Sequence, residues 1–302
     1  MKTVSEAVFR RGLRKAGCPE RVLIEVTHRC NFRCSHCYIT GGNPGHEAAA
    51  DEFDALLRSI AASGAITIGF TGGEPLMRDD IFSILKTAGD AGFRPLLYTN
   101  ASLVTPSKAR KLKTIGVAKV VVSMHGATAR SFERITGIEG SFTKTKAGIA
   151  ALRAAGVPIG IKSCAPSLNP GDVKQLAAMA EEWGAHLRLS PVLLGKDSNG
   201  KDCAGFAEKP LPGKKGTPSL FPPCGSASSQ CTVTPSLRLK PCPALPFPCI
   251  AYNGNFRQSL SRLSDEWEKL KGKLRNKCSR CEAAPDCGRC PAEAMPQRGC
   301  LI

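Results

Sequence analysis

Residues 21–38 read Arg21-Val22-Leu23-Ile24-Glu25-Val26-Thr27-His28-Arg29-Cys30-Asn31-Phe32-Arg33-Cys34-Ser35-His36-Cys37-Tyr38. The apolar run Arg21–Thr27 predicts a strand, and the cysteines that follow it are spaced C-x3-C-x2-C. Three thiolates can hold a 4Fe–4S cluster and leave its fourth iron without a protein ligand, whereas clusters of this type ordinarily take four cysteines. A vacant coordination position is where chemistry happens on a metal site. The plain alternative for the triplet is a zinc knuckle, or structural thiols with no shared role.

Outward from this stretch, short β-branched runs alternate with helical patterns to about residue 190. Strands are expected at Arg21–Thr27, Ile66–Phe70, Pro95–Thr99, Lys119–Met124, Pro158–Lys162 and His186–Leu189. Helices are expected at Asp51–Ala62, Asp80–Ala91, Pro106–Ile115, Phe142–Ala155 and Pro170–Trp183. Thr105-Pro106 and Asn169-Pro170 each place a capping residue before a proline at the first helical position. Gly92, Gly116, Gly156 and Gly184 stand just past helix ends. This alternation is the pattern of βα units on a parallel sheet, an α/β class. Six units are too few to close an eight-fold barrel.

A second motif, Thr71-Gly72-Gly73-Glu74-Pro75, follows the second strand directly. Glycines at a strand's C-terminal edge let backbone approach a ligand closely, and parallel barrels place their reacting groups at that edge. With the cysteine triplet one βα unit earlier, and with aromatics at Phe32 before its second cysteine and Tyr38 after its third, the chain resembles the radical S-adenosylmethionine (radical SAM) superfamily. The resemblance implies a partial (β/α)6 TIM-like barrel whose open iron at Cys30, Cys34 and Cys37 chelates S-adenosylmethionine, with Gly72, Gly73, Glu74 and Pro75 against its amino group. It further implies cofactor contacts from Tyr38, from Asn100 after the third strand, and from Ser123 at the end of the fourth. Lys162 and Arg188 resemble the basic contacts at the next two strand ends; a surface ion pair is the alternative for both. Ala101 replaces the glycine usual after Thr99-Asn100. His125 stands where relatives often have Asp or Tyr, and either touches the site or binds a loop.

The region 224–302 carries nine of the fifteen cysteines. Cys278-x2-Cys281-x5-Cys287-x2-Cys290 precedes Cys300, and Cys224-x6-Cys231 precedes Cys242 across a hairpin-like segment that turns at Pro235–Leu237. A zinc ribbon is the alternative for the first unit alone. The whole resembles the SPASM extension of radical SAM proteins, a small cysteine-rich domain with a β-hairpin and two auxiliary 4Fe–4S clusters. That resemblance implies one cluster on Cys224, Cys231, Cys242 and Cys290 and a second on Cys278, Cys281, Cys287 and Cys300, with Cys249 a competitor for the place of Cys242. The hairpin turn lacks the usual glycine. Trp267 reads as a packing residue. The expected organisation is a basic N-terminal segment 1–20, a barrel 21–195, a linker or substrate-facing loop 196–223 and the auxiliary domain 224–302. Cys203, in the linker, and Cys164, after the fifth strand, are candidate thiols near substrate; Cys203 is the candidate hydrogen-atom donor, although an inert thiol is the commoner state.

A formal charge of +17 suggests an anionic partner or a basic solvated surface. Eleven ligating thiolates and three clusters would lower it by roughly 5. Low aromatic content, 6%, argues against nucleic acid, which would need stacking platforms among the basic residues. No apolar stretch is long enough to span a bilayer and no signal-peptide core is present, so a cytoplasmic protein with no membrane partner is expected. That setting turns the cysteine count toward metal rather than disulfides.

The resemblance implies three 4Fe–4S clusters, S-adenosylmethionine, an external low-potential donor of ferredoxin or flavodoxin type, and hydrogen-atom abstraction from a peptide or protein substrate. Fewer than about twenty-five residues precede the first strand, short for the leader-binding domain of many peptide maturases. The alternative substrate is a cofactor, a haem precursor or RNA. A non-catalytic electron carrier would need the clusters but neither an open iron nor Gly72–Pro75.

Overall fold

A computed structural model of the chain describes Gly12 and residues 18–39, 46–164, 170–190, 226–227, 229–245 and 247–278. Most of the expected N-terminal segment 1–20, the whole of the expected linker 196–223 with Cys203, and Cys224, Cys281, Cys287, Cys290 and Cys300 lie outside these residues, as does the side chain of Cys278.

The described chain runs β1 (Arg21–Thr27), α1 (Ala50–Ala62), β2 (Thr67–Gly72), a 3-10 turn (Pro75–Met77), α2 (Ile81–Asp90), β3 (Leu96–Thr99), α3 (Pro106–Ile115), β4 (Lys119–Ser123), α4 (Ala129–Thr136), α5 (Ser141–Ala154), β5 (Ile159–Cys164), α6 (Pro170–Glu182) and β6 (His186–Ser190). After the linker come β7 (Gln230–Val233), β8 (Arg238–Lys240), β9 (Ile250–Ala251) and α7 (Phe256–Cys278). The strands form one sheet in the order β6-β5-β4-β3-β2-β1-β7-β8-β9. Pairings from β6 through β1 to β7 are parallel, and β8 and β9 add antiparallel. The fold is α/β, with an open parallel sheet of the partial-barrel kind.

Parallel strands lie covered on both faces and read as near-continuous apolar runs, as Val22, Ile24, Val26, Ile68, Phe70 and Val122 do here, all fully buried. Helix ends follow their local chemistry. Thr105 accepts from the Lys108 amide ahead of Pro106, and Gly116 closes α3 in the left-handed region at φ 80°. Asn169 lies outside the described residues, so its cap on α6 does too.

Among the differences between the sequence reading and the structure, three change an element that supports the cysteine loop or the sheet beside it. β2 starts at Thr67 and runs on through Gly72, carrying the first glycine of its motif into the sheet, because β1 bulges between Glu25 and Thr27 and keeps pairing. Helix α4 was not expected. Its signals are short but present: Thr128 and Ser131 cap each other's amides and Gly137 ends it at φ 65°. Helix α7 was also not expected; it packs Phe256, Leu260, Leu263 and Trp267 inward and ties to α1 where the Phe256 amide donates to Ser59 Oγ at 2.9 Å. Trp267, 4% exposed, is a packing residue as expected.

The hairpin turns at Thr234–Leu237, with the Leu237 amide donating to the Thr234 carbonyl at 3.0 Å. Leu237 takes φ 52°, and Ala101 takes φ 60°. These are the two places where the sequence lacks an expected glycine, and both keep the left-handed backbone that a glycine would adopt freely.

Candidate active site

The cysteine loop leaves the C-terminal end of β1 and is held from three sides. The Gly73 amide donates to the Thr27 carbonyl and the Glu74 amide to the Arg29 carbonyl, each at 2.8 Å. A side chain has no room there: a Cβ on Gly72, at φ 133°, would stand 2.2 Å from the Thr27 oxygen, and one on Gly73 2.3 Å from the Arg29 oxygen. The paired glycines are therefore a requirement of this backbone approach. On the second side, Asn31 accepts from Asn100 Nδ2 and donates to Ser102 Oγ, both at 2.8 Å. On the third side, amides of Arg33 and Ser35 donate to carbonyls of Thr136 and Ile135 on α4, at 2.8 and 2.9 Å, and Phe32 sits edge-on to Phe132 with ring centres 6.3 Å apart.

Glu74 joins these supports. It is fully buried and accepts from the Leu76 amide at 3.0 Å, Thr99 Oγ1 at 2.7 Å and the Asn100 amide at 2.7 Å. Burial raises its pKa above 4.5 while those donors pull it back down. Asn100 thus binds Glu74 by its backbone and the cysteine loop by its side chain. Pro75 opens the 3-10 turn and is buried.

All three thiols of the triplet are pushed above the ordinary cysteine range. Burial is the leading cause, and it takes Cys34, where the charges of Cys37 and Cys30 add to it, to about 12. Cys30 reaches solvent at the open side of the loop, so its thiol is pushed less far, to about 11. Converging thiols that resist ionisation fit a polycationic iron cluster, whose charge supplies what the protein alone does not. A cluster with one open iron fits this donor set.

Beyond the triplet, Ser123, Lys162 and Arg188 are register partners across β4, β5 and β6, which puts all three at one edge. Lys162 is exposed by area yet has protein packed around it. That crowding, with Arg188, lowers its pKa.

His125 lies against the cysteine loop. Its ring meets that of His36 edge-on at 4.3 Å, and the Nδ1 atoms of both are buried without a hydrogen-bond partner. Donor atoms of His36, His125 and Cys164 lie within 4.8 Å of one another. Burial lowers both imidazole pKa values, that of His36 to about 4, and Lys162 lowers both further. The Lys162 ammonium thus disfavours a further positive charge on either ring.

The spacing of the triplet does not single out His36, because its role depends on the His125 ring, 89 positions away. Asn31 and Phe132 were missed because their roles depend on partners 69 to 100 residues away. Tyr38 lies beside Glu25 and Thr71, and burial, then the Glu25 charge, raises its hydroxyl well above the ordinary tyrosine value.

In the hairpin region Cys231 is buried on β7 and its thiol is pushed to about 12 by desolvation. Cys242 follows β8 by two residues. Cys249 Sγ accepts from Arg238 Nε at 3.3 Å. No helix among the described residues is long and apolar enough to cross a membrane.

Comparison with known proteins agrees with this arrangement. The chain is 36% identical over 169 residues to the AdoMet-dependent heme synthase of Methanosarcina barkeri, covering 55% of this chain and 48% of that one. It is 32% identical over 130 residues to the PqqA peptide cyclase of Bradyrhizobium diazoefficiens, covering 42% and 34%. The chain therefore spans about half or less of the length of these curated relatives. The crystal structure of Streptococcus suis SuiB bound to S-adenosylmethionine shares the fold, with a TM-score of 0.68 at 15% identity over 99% of this chain and 82% of that one. Residues 24–180, which hold the triplet, the paired glycines and Lys162, match the model of the Radical SAM superfamily, and the chain belongs to that superfamily.

Proposed function

We propose that the chain binds S-adenosylmethionine at a 4Fe–4S cluster on Cys30, Cys34 and Cys37 and oxidises a substrate held at the C-terminal edge of the sheet. When bound, cluster and cofactor would supply reductive cleavage to methionine and a 5′-deoxyadenosyl radical, the cofactor carrying the difficult chemistry. The chain's own residues position and enclose. The observation that carries this reading is that the Gly73 and Glu74 amides and the Asn100 side chain fasten the cysteine loop to the neighbouring strand ends, at an edge where glycines let the two backbones meet. His36, His125 and Ser123 would line the pocket, with Lys162 and Arg188 at its mouth.

The substrate we favour is a small molecule bearing carboxylates, of the haem-precursor class. The heme synthase relative is matched at higher identity and over a longer stretch than the peptide cyclase, and two adjacent cations at the mouth suit carboxylates. The peptide substrate expected from the SPASM resemblance is the second reading, supported by the PqqA peptide cyclase relative. The auxiliary ligand sets, Cys224, Cys231, Cys242 and Cys290 with Cys278, Cys281, Cys287 and Cys300, belong to this proposal, as do Cys203 near substrate and a low-potential donor. Clusters fully ligated by cysteine would relay the electron left by substrate oxidation, their potentials tuned by burial and hydrogen bonds to sulfur.

The test is anaerobic reconstitution with S-adenosylmethionine and dithionite, measuring 5′-deoxyadenosine with an iron porphyrin carboxylate and, separately, with peptides. Formation above the substrate-free background with the porphyrin alone supports the first reading; formation with peptide alone transfers the substrate to the second. No change in the cluster's electron paramagnetic resonance on adding S-adenosylmethionine overturns both. About twelve irons per chain are expected for three clusters, and about four would remove the auxiliary pair.

A further inference from the structure

Glu25 takes no part in the site as described, yet it is a fully buried carboxylate on β1, five residues before Cys30. Its partner comes from the far end of the chain. Lys240 on β8 lies beyond β7, which pairs with β1 through Ile24 and Val233 and with β8 through Thr232 and Lys240. Lys240 Nζ is 3.0 Å from Glu25 Oε1, an ion pair whose angle falls outside hydrogen-bond geometry. The same ammonium donates to the Pro243 carbonyl at 3.1 Å and stands 5.8 Å from the centre of the Tyr38 ring. The other Glu25 oxygen is 3.1 Å from His28 Nε2. Tyr38 adjoins Cys37, and the Glu25 charge acts on both, after burial, to disfavour their anions.

A buried ion pair is a poor device for stability, because well-packed apolar residues in its place are often as stable or better. Its position suggests another use. A carboxylate this close to Cys37 would oppose adding an electron to a cluster there, and a cation beside it cancels that opposition. Net charge and surroundings are among the factors that set iron–sulfur potentials.

Resting on the proposed site, we propose that Lys240 of the C-terminal hairpin is a positioning residue for the N-terminal cluster: it neutralises Glu25 and backs the Tyr38 ring, keeping the cluster on Cys30, Cys34 and Cys37 reducible. The hairpin would then serve the first cluster directly, apart from any auxiliary ligand it carries.

The experiment is a redox titration of the reconstituted full chain, followed by electron paramagnetic resonance of the cluster whose signal responds to S-adenosylmethionine. Lys240→Met is expected to lower the reduced-to-oxidised ratio about tenfold at a fixed potential, a shift of about 59 mV for one electron. Glu25→Gln should shift it the opposite way. Lys240→Arg and the double variant Glu25→Gln/Lys240→Met should both return toward wild type. Lys269→Met, which removes an exposed ion pair on α7, is the control and should not shift it.

If Lys240→Met alone fails to hold the cluster, recovery of iron and signal in the double variant supports the proposal, and its absence overturns it. A wild-type potential in Lys240→Met also overturns it. Loss of the S-adenosylmethionine response in wild type would instead bring down the site reading itself, so the two failures are distinguishable.

Discussion

Glu25 on β1 and Glu74 just past β2 are both sealed from solvent beside the same cysteine loop, but they are satisfied by different parts of the molecule. Glu74 takes three neutral donors from residues 76, 99 and 100, all of them at neighbouring strand ends of one sheet edge. Glu25 takes a cation from residue 240, brought in by a strand pair that joins the sheet on the other side of β1. Burial leaves the Glu74 carboxyl easier to protonate even though those donors oppose it, whereas Glu25 has the Lys240 ammonium beside it at 3.0 Å. One end of the loop is thus supported by barrel residues close to the motif itself, and the other end depends on a region that carries cysteines of its own.

That contrast gives an order of effects. Glu25→Ala leaves the Lys240 ammonium buried and unpaired, and should cost about 3–5 kcal/mol in urea unfolding. A cost under about 1 kcal/mol, the worth of an exposed pair, would erase the contrast. Gly72→Ala, where both the left-handed φ and the Thr27 oxygen oppose a side chain, should cost about 3 kcal/mol and blunt the spectral response to S-adenosylmethionine. An unchanged response would separate the glycine from the cofactor.

Glu74→Gln keeps one acceptor oxygen but turns an amide donor toward another donor, a loss of about 1–3 kcal/mol. Here pH sharpens the comparison. Because folding raises the Glu74 pKa, its contribution is fully present below the unfolded value of about 4.5 and is lost as pH rises through the folded value. The gap between wild type and Glu74→Gln should therefore narrow from pH 5 toward pH 8; a constant gap would mean the buried carboxyl does not titrate as described.

The smallest effect is expected at Ala101→Gly. Relief of the left-handed φ is worth about 1–2 kcal/mol, but the lost buried methyl takes back about 0.8 kcal/mol and added chain entropy about 0.4–1 kcal/mol. The net should stay within about 0.5 kcal/mol, measured by thermal unfolding.

Much of the site could be read from residue order because its chemistry is local. The spacing of Cys30, Cys34 and Cys37 and the run Gly72–Glu74 each sit within one turn at the end of one strand, and the alternation of apolar runs placed those strand ends on one edge. The left-handed backbone at Ala101 and Leu237 persisted where glycine was missing, since the hydrogen bonds around those turns demand it.

Other features could not be read that way. Helix α4 is eight residues with few apolar positions, yet it anchors Phe32 and two loop amides. His36 and His125 are 89 positions apart and meet only because β4 ends beside the loop. Residue order by itself determined the thiolate spacing, the glycine motif and the α/β class, because these follow from local geometry and periodicity. Tertiary structure alone decided that β7 pairs with β1 and so delivers Lys240 to Glu25. Burial and charge pairing belong to the folded chain as a whole, and no spacing along the sequence encodes them.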